Sequence, residues 1–145
     1  MTLSLFRTIL VLNMLIKKET EYAVLALIAL SEKKGEFVDA KVIAREENIS
    51  ETLLAKIFQK LAAADIVASK QGPNGGFQLL KDTREVTLWQ IFSAVQTPNI
   101  IKCYDGAAPY CKKPVCALKN TVAKMESFLE DFLSNTTLHE LIIKS

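Results

Sequence analysis

The sequence predicts a mostly α-helical protein with a small β wing, in which a winged helix-turn-helix domain precedes a long dimerisation helix. Three observations predict this fold class. Two short helical patterns are joined by a tight Asn-Ile-Ser turn at residues 48–50. Two short strand patterns follow on either side of a glycine-rich turn, within residues 65–80. Apolar residues spaced four and three apart then run from 118 to 132.

The composition indicates one globular domain in a reducing compartment. Half of the 145 residues are hydrophobic, which is enough to bury a core. The net charge of +2, with both signs interspersed, neither requires nor excludes a polyanionic partner. Three cysteines, an odd number, argue against a disulfide framework and favour metal binding or redox work. We therefore expect a cytoplasmic protein without a membrane partner.

The N-terminal residues resemble a signal sequence only superficially. Arg7 is the single charged residue in the first sixteen, but this apolar stretch is too short to cross a bilayer. It lacks a small-residue cleavage site and runs directly into an amphipathic helix. We interpret residues 1–13 as an extension that arises from start-site choice or cloning, with Met14 as the start. The predicted domain is then 14–96, followed by a cysteine-rich segment at 97–116 and a dimerisation helix with the C-terminal segment at 117–145.

The first two helices are predicted to build the core of the domain. The first spans about residues 18–31 and ends at the SEKKG turn, and the second spans about 40–47. Asn48 ends the second helix, because its side chain tolerates the conformations that a helix end requires. We expect Val42 and Ile43 to point inward from the second helix. The inward residues expected of the first are Tyr22, Leu25, Ala26, Ala29 and Leu30.

The third helix, about residues 51–63, has the pattern of a helix that enters the major groove of DNA. One face is apolar, with Leu54, Ile57, Phe58 and Leu61, and the other is polar and basic. Hydroxyl and amide groups would read bases, a methyl group would contact thymine, and lysine would contact phosphate. The alternative is an ordinary helical hairpin with a solvated charged face. The candidate contacts are Ser50, Thr52, Ala55, Lys56, Gln59 and Lys60.

A wing follows the third helix. Strands are predicted at residues 65–70 and 77–80, and the glycines between them would let backbone N–H groups approach a phosphate. A nucleotide-binding loop is a weaker interpretation, because the Walker spacing is missing. The candidate backbone contacts are Lys70, Gln71, Gly72, Pro73, Asn74, Gly75 and Gly76.

Two more helices are predicted beyond the wing. Thr87 and Gln90 form a capping box that opens a short helix. The later helix has the spacing of a coiled-coil seam, which favours dimerisation over the alternative of a single helix packed on its own domain. The seam residues are Leu118, Val122, Met125, Leu129 and Phe132.

All three cysteines lie in one short segment, as Cys103, Cys111 and Cys116. Thiolates are soft ligands suited to iron–sulfur clusters, and lysines flank them here. A metal-free thiol switch and a zinc site are the alternatives, although the paired short spacings of a zinc ribbon are missing. An electron-transfer protein would have no use for a winged helix. We expect no enzyme, because the single histidine lacks a nucleophile partner and no paired catalytic carboxylates stand out.

The order of these motifs resembles the Rrf2 family of transcription regulators, of the IscR, NsrR and RirA type. The residues that carry the resemblance are MLIKKETEYAVLALIAL, ENIS with LLAKIFQKL, QGPNGGF, the three-cysteine segment and TTLHELI. The resemblance implies a homodimer on double-stranded DNA, and two reading heads would require an inverted-repeat operator. It favours a repressor whose operator binding responds to iron, redox state, oxygen or nitric oxide.

The resemblance also implies an iron–sulfur cluster, of the 2Fe–2S or 4Fe–4S type, on the three cysteines. Related sensors complete the coordination with an acidic residue near the start of helix one of the partner subunit, and Glu21 stands at that place. His139, the only histidine, is an alternative ligand. The spacing C-x7-C-x4-C differs from the C-x5-C-x5-C of many members, and Lys119 stands where some members have a histidine. The cluster type therefore stays open.

Overall fold

The computed structural model describes residues 16–96 and 117–144. It confirms a mostly helical chain with one two-stranded antiparallel sheet. The elements are α1 Lys18–Ser31, α2 Ala40–Glu46, α3 Glu51–Ala63, β1 Val67–Lys70, β2 Gly76–Leu79, α4 Leu88–Val95, α5 Ala117–Ser134 and α6 Leu138–Lys144. The described residues include no helix that is both long and apolar enough to cross a membrane.

Helix α1 lies at the centre of the core. It contacts α2, α3, α4, α6 and β2, and small residues such as Ala23 and Ala26, both fully buried, let these neighbours approach closely. The prediction for this helix was wrong at Leu25, which is 37% exposed, and it omitted Leu27, which is fully buried. A helix that is covered on several sides does not follow a one-sided apolar pattern.

The helix-turn-helix forms as the sequence predicts. The Asp39 side chain accepts a hydrogen bond from the backbone N–H of Lys41 (2.9 Å) at the start of α2. Asn48 takes the predicted left-handed conformation, with φ of 54°, and directs the chain into α3. The four predicted core residues of α3 are all buried. Val42 was predicted inward but is 44% exposed, because the buried side of this seven-residue helix is formed by Ala40, Ile43 and Ala44.

The wing is attached to α3 and to the segment before α2. Strand β1 pairs with β2, and Val38 forms a further antiparallel bridge with Phe77, with N–H to carbonyl distances of 2.9 and 2.8 Å. The Phe77 ring stacks on Phe58 of α3, with the ring centroids 4.6 Å apart. The wing therefore has a fixed position beside the third helix.

The C-terminal helix α6 belongs to the same domain. Leu138 is fully buried, and its backbone N–H donates to the carbonyl of Val86 (2.8 Å). Leu88 N–H donates to the carbonyl of Thr136 (2.9 Å), next to the predicted capping box of Thr87 and Gln90, which is present. The sequence predicted a short terminal helix here but not its place in the core.

Helix α5 divides the predicted dimerisation seam between two faces. Val122 and Leu133 are buried within the chain, at 5% and 7% exposure. Val122 is therefore occupied by its own domain, as in the alternative of a helix packed on that domain. Leu129 is half-buried. The exposed apolar stripe of α5 consists of Leu118, Met125, Phe128 and Phe132, of which Phe128, at 73% exposure, is absent from the predicted seam.

Candidate nucleic-acid interface

The outward face of α3 and the wing border one open cleft of about 460 Å³. Thr52 and Ala55 line it from α3, and the glycine-rich turn lines it from the opposite side. Asp39, Ala40 and Lys41 close the end nearest α2. The structure thus brings two separately predicted groups of DNA contacts to one surface.

Most of the predicted contacts on α3 are accessible. Ser50, Thr52, Lys56 and Gln59 are exposed, and Ala55 is half-buried at the cleft. Ser50 occupies the N-cap position of α3 without a capping hydrogen bond from its side chain. Hydroxyl, amide and ammonium groups are therefore presented together on this helix face.

Glu51 is a further polar residue of the cleft that the sequence prediction omitted. It occupies the first turn of α3, lines the cleft, and lies 3.7 Å from the Arg45 Nε atom. A carboxylate repels phosphate but can accept a hydrogen bond from the amino group of cytosine. Its position directly after the Ser50 cap was the available signal, because the first turn of this helix faces the wing.

Lys60 has protein partners in place of an open position. Its ammonium group donates to the carbonyl oxygen of Val95 (3.1 Å) and pairs with the carboxylate of Glu19 (3.3 Å). The predicted phosphate contact would require both partners to be released. Helical spacing alone could not predict this, because both partners are distant in sequence.

The wing turn has the predicted backbone geometry. The N–H of Gly75 donates to the carbonyl of Gly72 (2.9 Å), and Gly72 has a φ of +110°. Lys70 lies over the Phe37 ring, 5.6 Å from its centroid, which places its charge at the base of the wing. Gln71, Pro73 and Asn74 are exposed at the tip, and Gly76 continues into β2.

The candidate metal ligands are distributed differently. The three cysteines lie outside the described residues, in the segment between α4 and α5. Glu21 lies in the first turn of α1 with half of its side chain exposed, 3.2 Å from Lys18. The His139 ring Nδ1 lies 3.4 Å from the Thr83 hydroxyl of the same chain. Within residues 16–96 and 117–144, no three His, Cys, Asp or Glu side chains are grouped to hold a metal.

Gln96 fixes the point where the chain enters the cysteine segment. Its side-chain oxygen accepts hydrogen bonds from the Lys17 N–H (2.9 Å) and from the Thr20 hydroxyl (2.7 Å). Gln96 and Thr20 are both buried. The cysteine segment therefore begins beside the first turn of α1, the turn that carries Glu21.

Residues 16–144 match the sequence profile of a family described as Rrf2, iron-dependent transcriptional regulator. The chain belongs to the Rrf2 family. The predicted family is therefore confirmed, and this Rrf2 protein is a transcription regulator rather than an enzyme. Membership of the family also implies DNA binding.

Named relatives and a solved structure agree with this assignment. The chain is 30% identical to the regulator NsrR of Bacillus licheniformis over 86% of this chain and 89% of the relative. It is 33% identical to the regulator IscR of Photobacterium profundum, covering 83% and 71%. The solved oxidized form of Staphylococcus aureus CymR is 27% identical, with 88% of this chain and 94% of that chain covered and a TM-score of 0.66.

Proposed function

We propose that this Rrf2 protein is a homodimeric, cytoplasmic repressor whose operator binding is controlled by an iron–sulfur cluster on Cys103, Cys111 and Cys116. One observation carries the proposal. The polar face of α3 and the wing border a single exposed cleft, and the same domain leads at Gln96 directly into the three cysteines. A change among the cysteines thus acts on a chain that begins at the DNA-reading domain.

The donor set suits such a cluster. Three thiolates leave one position for a different ligand, and thiolates are the usual ligands of iron–sulfur centres. Glu21 is suited to supply that ligand to the partner subunit, because half of its side chain is exposed instead of buried in its own domain. His139 is a weaker candidate, since its ring faces Thr83 of its own chain. A bound cluster would supply a group that is sensitive to iron supply, oxygen and nitric oxide.

A homodimer would form through the exposed stripe of α5. Apolar side chains that are exposed at helical spacing are typical of a helix that pairs with another. Two copies of α3 related by a twofold axis would bind an inverted repeat with half-sites about 34 Å apart, or a multiple of that distance. Double-stranded DNA is therefore the expected partner.

Anaerobic purification tests the proposal. Wild-type protein is expected to be coloured, to contain iron and sulfide, and to shift promoter DNA in a gel to a different extent before and after the iron is removed with a chelator. The triple serine variant of Cys103, Cys111 and Cys116 should contain no iron and should bind DNA equally under both conditions. Colourless wild-type protein that cannot be reconstituted with iron and sulfide would contradict the cluster.

A metal-free thiol switch of the same fold is the second candidate. The solved oxidized form of the similar CymR favours it, because that protein was captured in a distinct oxidation state. In this case iron-free protein would still bind DNA, and its affinity would change on treatment with hydrogen peroxide and return with dithiothreitol. The cluster proposal predicts instead that the response requires bound iron.

A further inference from the structure

We propose that Lys60 and Gln96 are positioning residues that link the recognition helix α3 to the point where the chain enters the cysteine segment. The inference rests on the proposed function, because it supplies a route by which the cysteines could influence α3. It assigns to Lys60 a role other than phosphate binding. Four hydrogen bonds or ion pairs among α1, α3 and the end of α4 carry the argument.

Lys60 caps a helix to which it does not belong. The last carbonyl groups of a helix lack partners within the helix and form its negative end. Helix α4 ends at Val95 and has no basic residue in its last turn. The Lys60 ammonium group, from the last turn of α3, supplies the missing charge at the Val95 carbonyl, and Glu19 of α1 holds it there.

Gln96 continues this connection to α1. The residue follows Val95 directly, and its side-chain oxygen accepts from the Lys17 N–H and the Thr20 hydroxyl. Because Thr20 is buried, displacing Gln96 would leave its hydroxyl without this acceptor, which is unfavourable. The position of the chain at 95–96 is therefore closely defined, and Lys60 reports it to α3.

The two bonded groups give the link a physical direction. A rearrangement of the cysteine segment that pulls residues 95–96 away from α1 breaks the bonds of Gln96 and removes the acceptor of Lys60. Helix α3 then loses its polar contact with the end of α4, close to the face that carries Gln59 and Lys56. Affinity for DNA changes through the orientation of α3, without a lost contact to phosphate.

Salt dependence separates a positioning role from a phosphate contact. Each lysine that binds a phosphate contributes about 0.9 to the slope of log affinity against log salt concentration. Lys60→Met should weaken operator binding but leave this slope unchanged. Lys56→Met is the matched control, because Lys56 is an exposed lysine on the same helix and a predicted phosphate contact; its slope should fall by about 0.9. A similar fall for Lys60→Met would overturn the inference.

A double-mutant cycle tests the link itself and does not depend on the state of the cysteines. If Lys60 acts through residues 95–96, Gln96→Ala already removes part of its effect. The Kd of the Lys60→Met, Gln96→Ala double variant should then be lower, by about threefold or more, than the product of the two single effects predicts. Multiplicative effects would overturn the inference. Lys56→Met combined with Gln96→Ala should be multiplicative, since Lys56 lies outside the link.

The same measurements distinguish this inference from the proposed function. If wild-type affinity is equal with and without iron, the proposed function fails while the cycle still decides the link. If wild type responds to iron removal but the cycle is multiplicative, the link fails alone. Should Gln96→Ala not fold, Thr20→Val replaces it, because valine keeps the shape of threonine and removes only the hydroxyl that donates to Gln96.

Discussion

Single side chains on the outward face of α3 carry different kinds of information about DNA. Gln59 presents an exposed amide, which can bond two atoms of one adenine, whereas the exposed ammonium of Lys56 can only contact phosphate or a base as a point charge. Gln59→Ala should therefore reduce discrimination at one base pair by about 1–3 kcal/mol. Lys56→Met should weaken all DNA sequences alike. Competition binding to an operator and its single-base variants measures both effects, and a uniform loss for Gln59→Ala would contradict a reading role.

Two glycines of the wing should respond differently to the same substitution. A Cβ atom at Gly76 would lie 2.2 Å from the carbonyl oxygen of Val38, at a φ of +137°, whereas at Gly72, with φ of +110°, it would meet nothing within 4 Å. Gly72→Ala should cost only backbone strain, about 1–3 kcal/mol. Gly76→Ala should cost more, because it must also displace the bridge between Val38 and Phe77. Urea unfolding of both variants tests the order, and equal losses would contradict it.

At the scale of whole elements, the sequence predicts helices best where a single face is covered. All four apolar residues assigned to the core from α3 are buried, because this helix rests on the domain with one side and presents the other to solvent. The one-sided pattern failed for α1, which is covered on several sides, and for Val122 of α5, where the chain's own domain takes part of the predicted seam. The contacts of Lys60 and Gln96 join residues 35 and 76 positions away, beyond the range of any local pattern.

The exposed stripe of α5 makes a prediction for assembly. A glutamate in place of Phe128, the most exposed of its aromatic residues, would bring two charges into an apolar interface, so Phe128→Glu should convert a dimer to a monomer. Ser127→Glu is the control, because it adds the same charge at an exposed neighbouring position off the stripe. Sedimentation velocity measures the mass of both, and circular dichroism checks that the helices persist. A dimeric Phe128→Glu variant would place the subunit interface elsewhere.

For the whole molecule, the position of Glu21 relates the metal site to assembly. The cysteine segment starts beside the first turn of its own α1, where Gln96 contacts Thr20, so an adjacent Glu21 could in principle serve its own chain. The exposed carboxylate is equally free to reach another subunit. Only ligation between subunits would make the dimer necessary for a complete site, because each site would then draw donors from two chains.

Mixed dimers decide between these two arrangements. One subunit carries Glu21→Ala with its cysteines intact, and the other carries serine at Cys103, Cys111 and Cys116 with Glu21 intact. If Glu21 serves the partner, the mixed dimer holds one complete site, made of cysteines from the first subunit and the carboxylate from the second. It should retain about half of the wild-type iron and sulfide, with greater resistance to chelator than the Glu21→Ala homodimer. If Glu21 serves its own chain, neither subunit completes a site, and the mixed dimer should lose its iron as fast as that homodimer does.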